Sequence, residues 1–229
     1  MKTLSVIIPF FNEEKTLNKS VERLIKTKVA NQIILVDDCS NDGSYTQGIN
    51  LVKKHENITL LQTNNNLGKG GAIKLSLGNI TSDLVTIHDA DLEYNPIDLI
   101  QMKKQAEINS DYIILGSRFK GNKKRNNIYR RALFANKFLS LLFSKFNKVT
   151  ISDIATCYKM IPTHIFLSIN LTENGFGFDT EVLSKSLSVS KKILEIPIEY
   201  SGRSYKDGKK IKLKDGIKFA YSILKYRIK

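Results

Sequence analysis

Short apolar runs alternate with helix-periodic segments through the first half of the chain. Residues 4–8, 32–36, 58–61, 84–88 and 112–115 are near-continuous apolar stretches of strand length, the pattern of strands buried on both faces. Between them lie segments with apolar positions at helical spacing. In 13–28 these are Leu17, Val21, Leu24 and Ile25. Helices are also predicted near 45–54, over 70–77, and from Pro96 to about residue 109, where proline suits a first turn. The second half is less regular. Helices are expected over 128–146, 180–190 and 213–228, strands over 156–161 and 193–200, and a polar basic loop over 201–212.

Strand–helix alternation of this kind predicts an α/β layered fold with a mostly parallel central sheet flanked by helices. Such sheets take ligands at the carboxyl ends of their strands. The polar, chemistry-bearing stretches fall there: "PFFNEE", "DDCSNDGS", "DADLE" and "GSRF". No internal repeat or low-complexity linker interrupts the 229 residues.

Composition changes this picture in one respect. Hydrophobic content of 41% and charged content of 25% are ordinary for a globular chain, but 36 Lys and Arg against 22 Asp and Glu leave +14. A solvated basic surface accounts for such a balance; so does an anionic partner such as nucleic acid, a phosphorylated metabolite or an acidic membrane. From Gly202 onward there are ten basic residues and two acids, a net of +8. Two cysteines, Cys39 and Cys157, lack metal-type spacing and fit a reducing compartment. No signal-peptide pattern and no apolar run of about 20 residues is present, so a cytoplasmic location is expected.

Against that basic background, "HDADLEYNP" (88–96) places Asp89, Asp91 and Glu93 just past a buried strand. Carboxylates two apart in such a turn can converge on one hard cation, and Mg²⁺ commonly takes one or two of them plus substrate phosphates. A solvated turn capping the next helix is the plain reading of a bare D-x-D. "NNLGKGGA" (65–72) lacks the Ser/Thr of a phosphate loop and the spacing of a dinucleotide fingerprint, so it reads as a tight turn. Asp38 in "VDDCSNDGS" can accept from a nucleobase or a ribose; Asp37, Asn41 and Asp42 read as turn caps.

In order and spacing, "SVIIPFFNEE", "ILVDDCSNDGS", "NNNLGKGGAI", "DADLEYNP" and "GSRF" resemble glycosyltransferase family 2, the enzymes of GT-A (Rossmann-like) fold. "ISDIATCYKM", "GFGFDTEVL" and "EIPIEYSGR" extend the resemblance over nearly the whole chain. The branch it is most similar to is the dolichyl- and undecaprenyl-phosphate mannosyl- and glucosyltransferases. The resemblance implies a catalytic domain over 1–200. The basic loop and amphipathic helix over 201–229 suit either an anionic membrane or packing on that domain with a solvated lysine face. Pro9, Phe11, Glu13, Val36 and Asp38 would line the nucleotide pocket. Asp89, Ala90 and Asp91 would meet the ribose and diphosphate. Asp91, with Glu93 and Asp89 beside it, would hold Mg²⁺ or Mn²⁺.

The implied reaction is inverting transfer from a UDP- or GDP-sugar. A hydroxyl acceptor needs a carboxylate base, for which Asp153, Asp179 and Glu181 are candidates; Asp153 and Glu181 also read as structural acids. A polyprenyl phosphate acceptor is already anionic and needs cations instead. Arg118, Arg131 and Arg203 would hold its phosphate, joined by Lys209, with the register open between Arg130 and Arg131. Cys157 and His88 read as core residues. The alternatives are transfer to a saccharide hydroxyl in capsule or lipopolysaccharide assembly and a nucleic-acid-binding module. The second lacks a zinc knuckle, a reading helix or an aromatic RNA-binding strand, so no nucleic-acid partner is expected.

Overall fold

The computed structural model describes residues 1–127, 130–175, 177–203 and 213–227, with backbone alone for residue 130 and residues 213–217. Its centre is a seven-stranded sheet in the order β3-β2-β1-β4-β7-β5-β8. The strands are β1 (Leu4–Phe10), β2 (Gln32–Asp37), β3 (Ile58–Gln62), β4 (Leu84–Ile87), β5 (Ile113–Ser117), β7 (Lys159–Pro162) and β8 (Ile193–Pro197). Every residue of β1, β4 and β5 is buried, as their unbroken apolar character predicts. β1 pairs in parallel with both β2 and β4, with Pro9 opposite Val36 and Ile7 opposite Ile87. The chain moves outward from β1 to β3 and then returns to β4 on the other side. The reversal leaves a crevice at the carboxyl ends of β1 and β4, where ligands of open α/β sheets bind.

β7 is the exception to parallel pairing. It runs antiparallel between β4 and β5, opposing Val85 with Ile161 and Ile114 with Met160. It begins at Lys159, later than expected. The expected strand over 193–200 divides in two. Ile193–Pro197 joins the main sheet, while β9 (Tyr200–Ser201) pairs with β6 (Arg125–Asn126) in a small second sheet.

Helices α1 (Leu17–Lys26), α2 (Ser44–Lys54), α3 (Lys69–Ser76), α4 (Asp98–Ile108), α5 (Arg130–Asn147), α6 (Thr163–Ser168), α7 (Phe178–Val189) and α8 (Leu213–Tyr226) cover the sheet. Leu17, Val21 and Leu24 of α1 are fully buried, each contributing about 1.5–3 kcal/mol. α1 is shorter than its periodic pattern because residues 13–16 form a turn, in which Glu13 O accepts from Thr16 and Leu17. α4 starts two residues after Pro96, since Asn95 O first accepts from Asp98 N. The short α6 has no counterpart among the sequence expectations. α8 packs against α7 and α5, burying Phe219 and Ile223. Among the described residues no helix is long and apolar enough to cross a membrane.

Candidate active site

Three loops at the carboxyl ends of β1, β2 and β4 each contain a non-glycine residue in the left-handed region: Asn12 (φ 55°), Cys39 (φ 61°) and Leu92 (φ 66°). For leucine this conformation is unusual and costs roughly 1–2 kcal/mol. The first two loops are stitched together. Asn12 N donates to Ser40 Oγ, Asn41 N to Asn12 Oδ1, and Glu13 N to Ser44 Oγ. Phe11 is half-buried beside them, and Pro9, Val36 and Ala90 are buried in the sheet end.

Asp38 is placed differently from its expected nucleotide role. Its carboxylate accepts from Thr63 Oγ1, Leu67 N at 2.8 Å and Gly68 N at 2.7 Å. It ties β2 to the glycine-rich turn and leaves little acceptor capacity for a base or ribose. That turn is no phosphate cradle. Gly70 N donates to Asn174 O, and a Cβ on Gly70 would lie 2.3 Å from Glu173 O. Gly68 combines φ +83° with Asn174 O 2.7 Å from where its Cβ would lie, so both glycines serve packing.

Behind the turn, Lys69 Nζ reaches Asp89 Oδ1 at 2.7 Å. Asp89 therefore pairs with a lysine on α3, where direct contact with ribose or metal was expected. Two residues on, Asp91 faces Arg203, whose Nη2 donates to Asp91 Oδ2 at 3.0 Å and whose Nη1 lies 3.4 Å from Glu13 Oε1. Glu93 turns to the same segment but is consumed by it: Tyr200 Oη donates to one oxygen at 2.5 Å and Arg203 N to the other at 2.7 Å. The expected metal contact of Glu93 is thus replaced by a structural one. Burial, with Asp89 and Glu93 nearby, pushes the Asp91 carboxyl up to about 7. Burial would lower Arg203, but Asp91, Glu13 and Glu93 outweigh it and hold the guanidinium above its usual range.

Four carboxylates, Glu13, Asp89, Asp91 and Glu93, thus share this crevice with two cations, Lys69 and Arg203. Among the described residues no group of three or more His, Cys, Asp or Glu forms a ready-made metal cage. A surplus of acid with one carboxylate facing a displaceable guanidinium still fits Mg²⁺ or Mn²⁺. These ions bind through one or two carboxylates, and substrate phosphates complete the shell.

The expected acceptor cations fare unequally. Arg118 makes a bidentate pair with the fully buried Asp153, both contacts 2.7 Å, and its guanidinium stacks 4.9 Å from the Tyr200 ring centre. It braces the site from behind, which departs from an acceptor-phosphate role. Arg131 is exposed on the first turn of α5; the side chain of Arg130 and all of Lys209 lie outside the described residues. Of the candidate bases, Asp153 is spent on Arg118. Glu181 is buried and accepts from Thr172, Glu173 and Lys185. Asp179 pairs with the buried Lys159 at 2.7 Å. Burial would raise Asp179, yet Lys159 and Lys69 hold it below the usual carboxylate range.

His88 is a core residue, between Ser20 Oγ at 3.0 Å and Tyr158 Oη at 2.9 Å, and burial pushes it down to about 4. Cys157 is buried as well. Sequence reasoning missed Tyr200, the clamp on Glu93, and Lys159. The lone lysine in the apolar run "CYKMIP" was the available signal for the latter.

Residues 5–167 match the family described as glycosyl transferase family 2. A dolichyl-phosphate beta-glucosyltransferase of Trichomonas vaginalis is 25% identical over 98% of this chain and 73% of its own length. An undecaprenyl-phosphate 4-deoxy-4-formamido-L-arabinose transferase of Photorhabdus laumondii is 28% identical over 91% of this chain, which spans 63% of that relative. Among solved structures, glucosyl-3-phosphoglycerate synthase from Mycobacterium tuberculosis, bound to Mn²⁺, UDP-glucose and glycerol 3-phosphate, superimposes with a TM-score of 0.74. It is 15% identical, with 99% of this chain and 80% of that one covered. The likeness bears out the mostly parallel GT-A sheet expected from the sequence. With the match covering most of its length, the chain belongs to glycosyltransferase family 2.

Proposed function

We propose that this protein is an inverting glycosyltransferase that moves a sugar from a uridine or guanosine diphosphate sugar to a polyprenyl phosphate. The observation that carries the acceptor class is the state of the three candidate bases. Asp153 and Glu181 are buried and fully engaged, and Asp179 is held as an ion pair by Lys159. Among these three candidates a hydroxyl nucleophile would find no carboxylate at liberty to take its proton. A phosphate monoester needs none, because it is already anionic at neutral pH. The names of the two polyprenyl-phosphate transferases above support the same acceptor.

In this reaction an acceptor phosphate oxygen forms a bond to the anomeric carbon as the bond from that carbon to the diphosphate breaks. The configuration inverts and no proton moves. Glu13 and the paired ends of β1 and β2 form the wall for the nucleoside. Asp91 would hold Mg²⁺ or Mn²⁺, which as a Lewis acid supplies charge neutralisation for the departing diphosphate. Arg203, which faces Asp91 and Glu13, would pair with the acceptor phosphate, for which its planar fork is well suited. Residues 1–200 carry most of the site and Arg203 completes it, while the basic 201–229 segment draws the chain to an anionic surface, on the cytoplasmic face where nucleotide sugars are supplied. Mild acid hydrolysis of the radiolabelled product tests the acceptor class. A glycosyl phosphodiester releases its sugar; a glycosidic bond to a saccharide survives and would overturn the proposal.

A further inference from the structure

Helix α5 carries large apolar side chains on both faces. Its inward face buries Phe143, with Leu139, Leu142 and Phe146 packed on the core, beside Asn136, Ser140, Ser144 and Asn147. Asn136 Oδ1 accepts from Ala155 N, Ser140 Oγ from Ile154 N and Ser144 Oγ from Ile151 N. These bonds clamp the segment around Asp153, the partner of Arg118. Its outward face carries Phe134, Phe138 and Leu141, which are 67%, 63% and 69% exposed. With Arg131 and Lys145 at either end, these five residues recur every three or four positions and so form one stripe along the helix. Large apolar side chains concentrated on a solvent face mark an interaction surface.

We propose that this outer face of α5 docks on an anionic lipid bilayer, lying in the interface and bringing the site to an acceptor embedded there. The inference rests on the polyprenyl-phosphate reading for the acceptor, while the docking itself rests on α5. Charge selects the occupant. α5 contains Arg130, Arg131, Lys137 and Lys145 and no acid in 18 residues. Phenylalanines flanked by lysines match hydrocarbon beneath a phosphate layer, the arrangement of helices that lie in the interface plane. Among the described residues no helix is long and apolar enough to cross a membrane.

Flotation of the full chain with extruded vesicles tests this, using phosphatidylcholine alone and phosphatidylcholine with about one quarter phosphatidylglycerol. Wild type floats with the anionic vesicles. Phe134→Glu/Phe138→Glu/Leu141→Glu binds them at least about tenfold more weakly. Lys137→Gln/Lys145→Gln loses about fivefold per lysine on anionic vesicles and nothing on neutral ones. Because these side chains are exposed, the variants keep the wild-type melting temperature. The triple variant also keeps transfer to a short, water-soluble polyprenyl phosphate while losing transfer to a vesicle-embedded one. Equal flotation of wild type and triple variant overturns the docking, whatever the transfer assay shows. So does a wild type that ignores vesicles and is a dimer by light scattering, with the triple variant a monomer. Correct flotation with no transfer to any polyprenyl phosphate leaves the docking standing and overturns the acceptor instead.

Discussion

Arg203 donates to Asp91 at 3.0 Å although 112 residues separate them in sequence. The guanidinium also faces Glu13 and Glu93. If Asp91 holds the divalent cation as proposed, Arg203 and that ion compete for one carboxylate. Replacing Arg203 with alanine should tighten Mn²⁺ binding without nucleotide by several-fold, read by electron paramagnetic resonance. The acceptor KM should rise at least about tenfold with little change in nucleotide-sugar affinity, as loss of a charge-assisted phosphate contact implies. Equal loss of donor and acceptor binding would contradict the role.

Asp91→Asn keeps an acceptor for Glu93 N, which donates to Asp91 Oδ1, but removes the charge. Turnover with Mg²⁺ or Mn²⁺ should fall by about a hundredfold or more, the scale of losing a Lewis acid from a phosphate-leaving reaction. The circular dichroism spectrum should match wild type. Normal turnover in this variant would remove Asp91 from the metal site.

The Arg118–Asp153 pair is predicted to act through stability. Asp153 is fully buried, so Asp153→Ala leaves Arg118 uncompensated and should cost about 3–5 kcal/mol in urea unfolding. A stable Asp153→Ala protein with abolished turnover would instead restore Asp153 as the base.

His88 sets an acid limit on stability. Its folded value of about 4 lies below the ordinary 6.5, so the unfolded chain binds more protons between those values. The contribution is fully present above pH 6.5 and is lost as pH falls toward 4, by at most about 3 kcal/mol. Asp91, raised to about 7, works in the opposite sense over an overlapping range. The difference in unfolding free energy between wild type and His88→Gln isolates the histidine and should shrink steadily from pH 6.5 to 4.

The parallel half of the fold was legible because strands buried on both faces are unbroken apolar runs, as in β1 and β4. The antiparallel insertion of β7 was not, since nothing in "KMIP" encodes which neighbours it pairs with. The same limit governs the site. Its acids and bases stood out at strand ends, yet Asp38 is claimed by the amides of 67–68, Asp89 by Lys69 and Glu93 by Tyr200. Those pairings join residues from 20 to 107 positions apart and are set by how the loops pack. Asp91 faces Arg203, while Glu93, two residues on past the left-handed Leu92, is held by Tyr200 and the Arg203 amide.

The most direct test of the central claim is transfer itself. Purified protein is incubated with radiolabelled UDP- and GDP-sugars and undecaprenyl phosphate, with Mg²⁺ or Mn²⁺ or with chelator. The predicted result is metal-dependent, organic-extractable label with at least one donor. Label on a saccharide acceptor, with none in the lipid phase for any donor, would contradict the account.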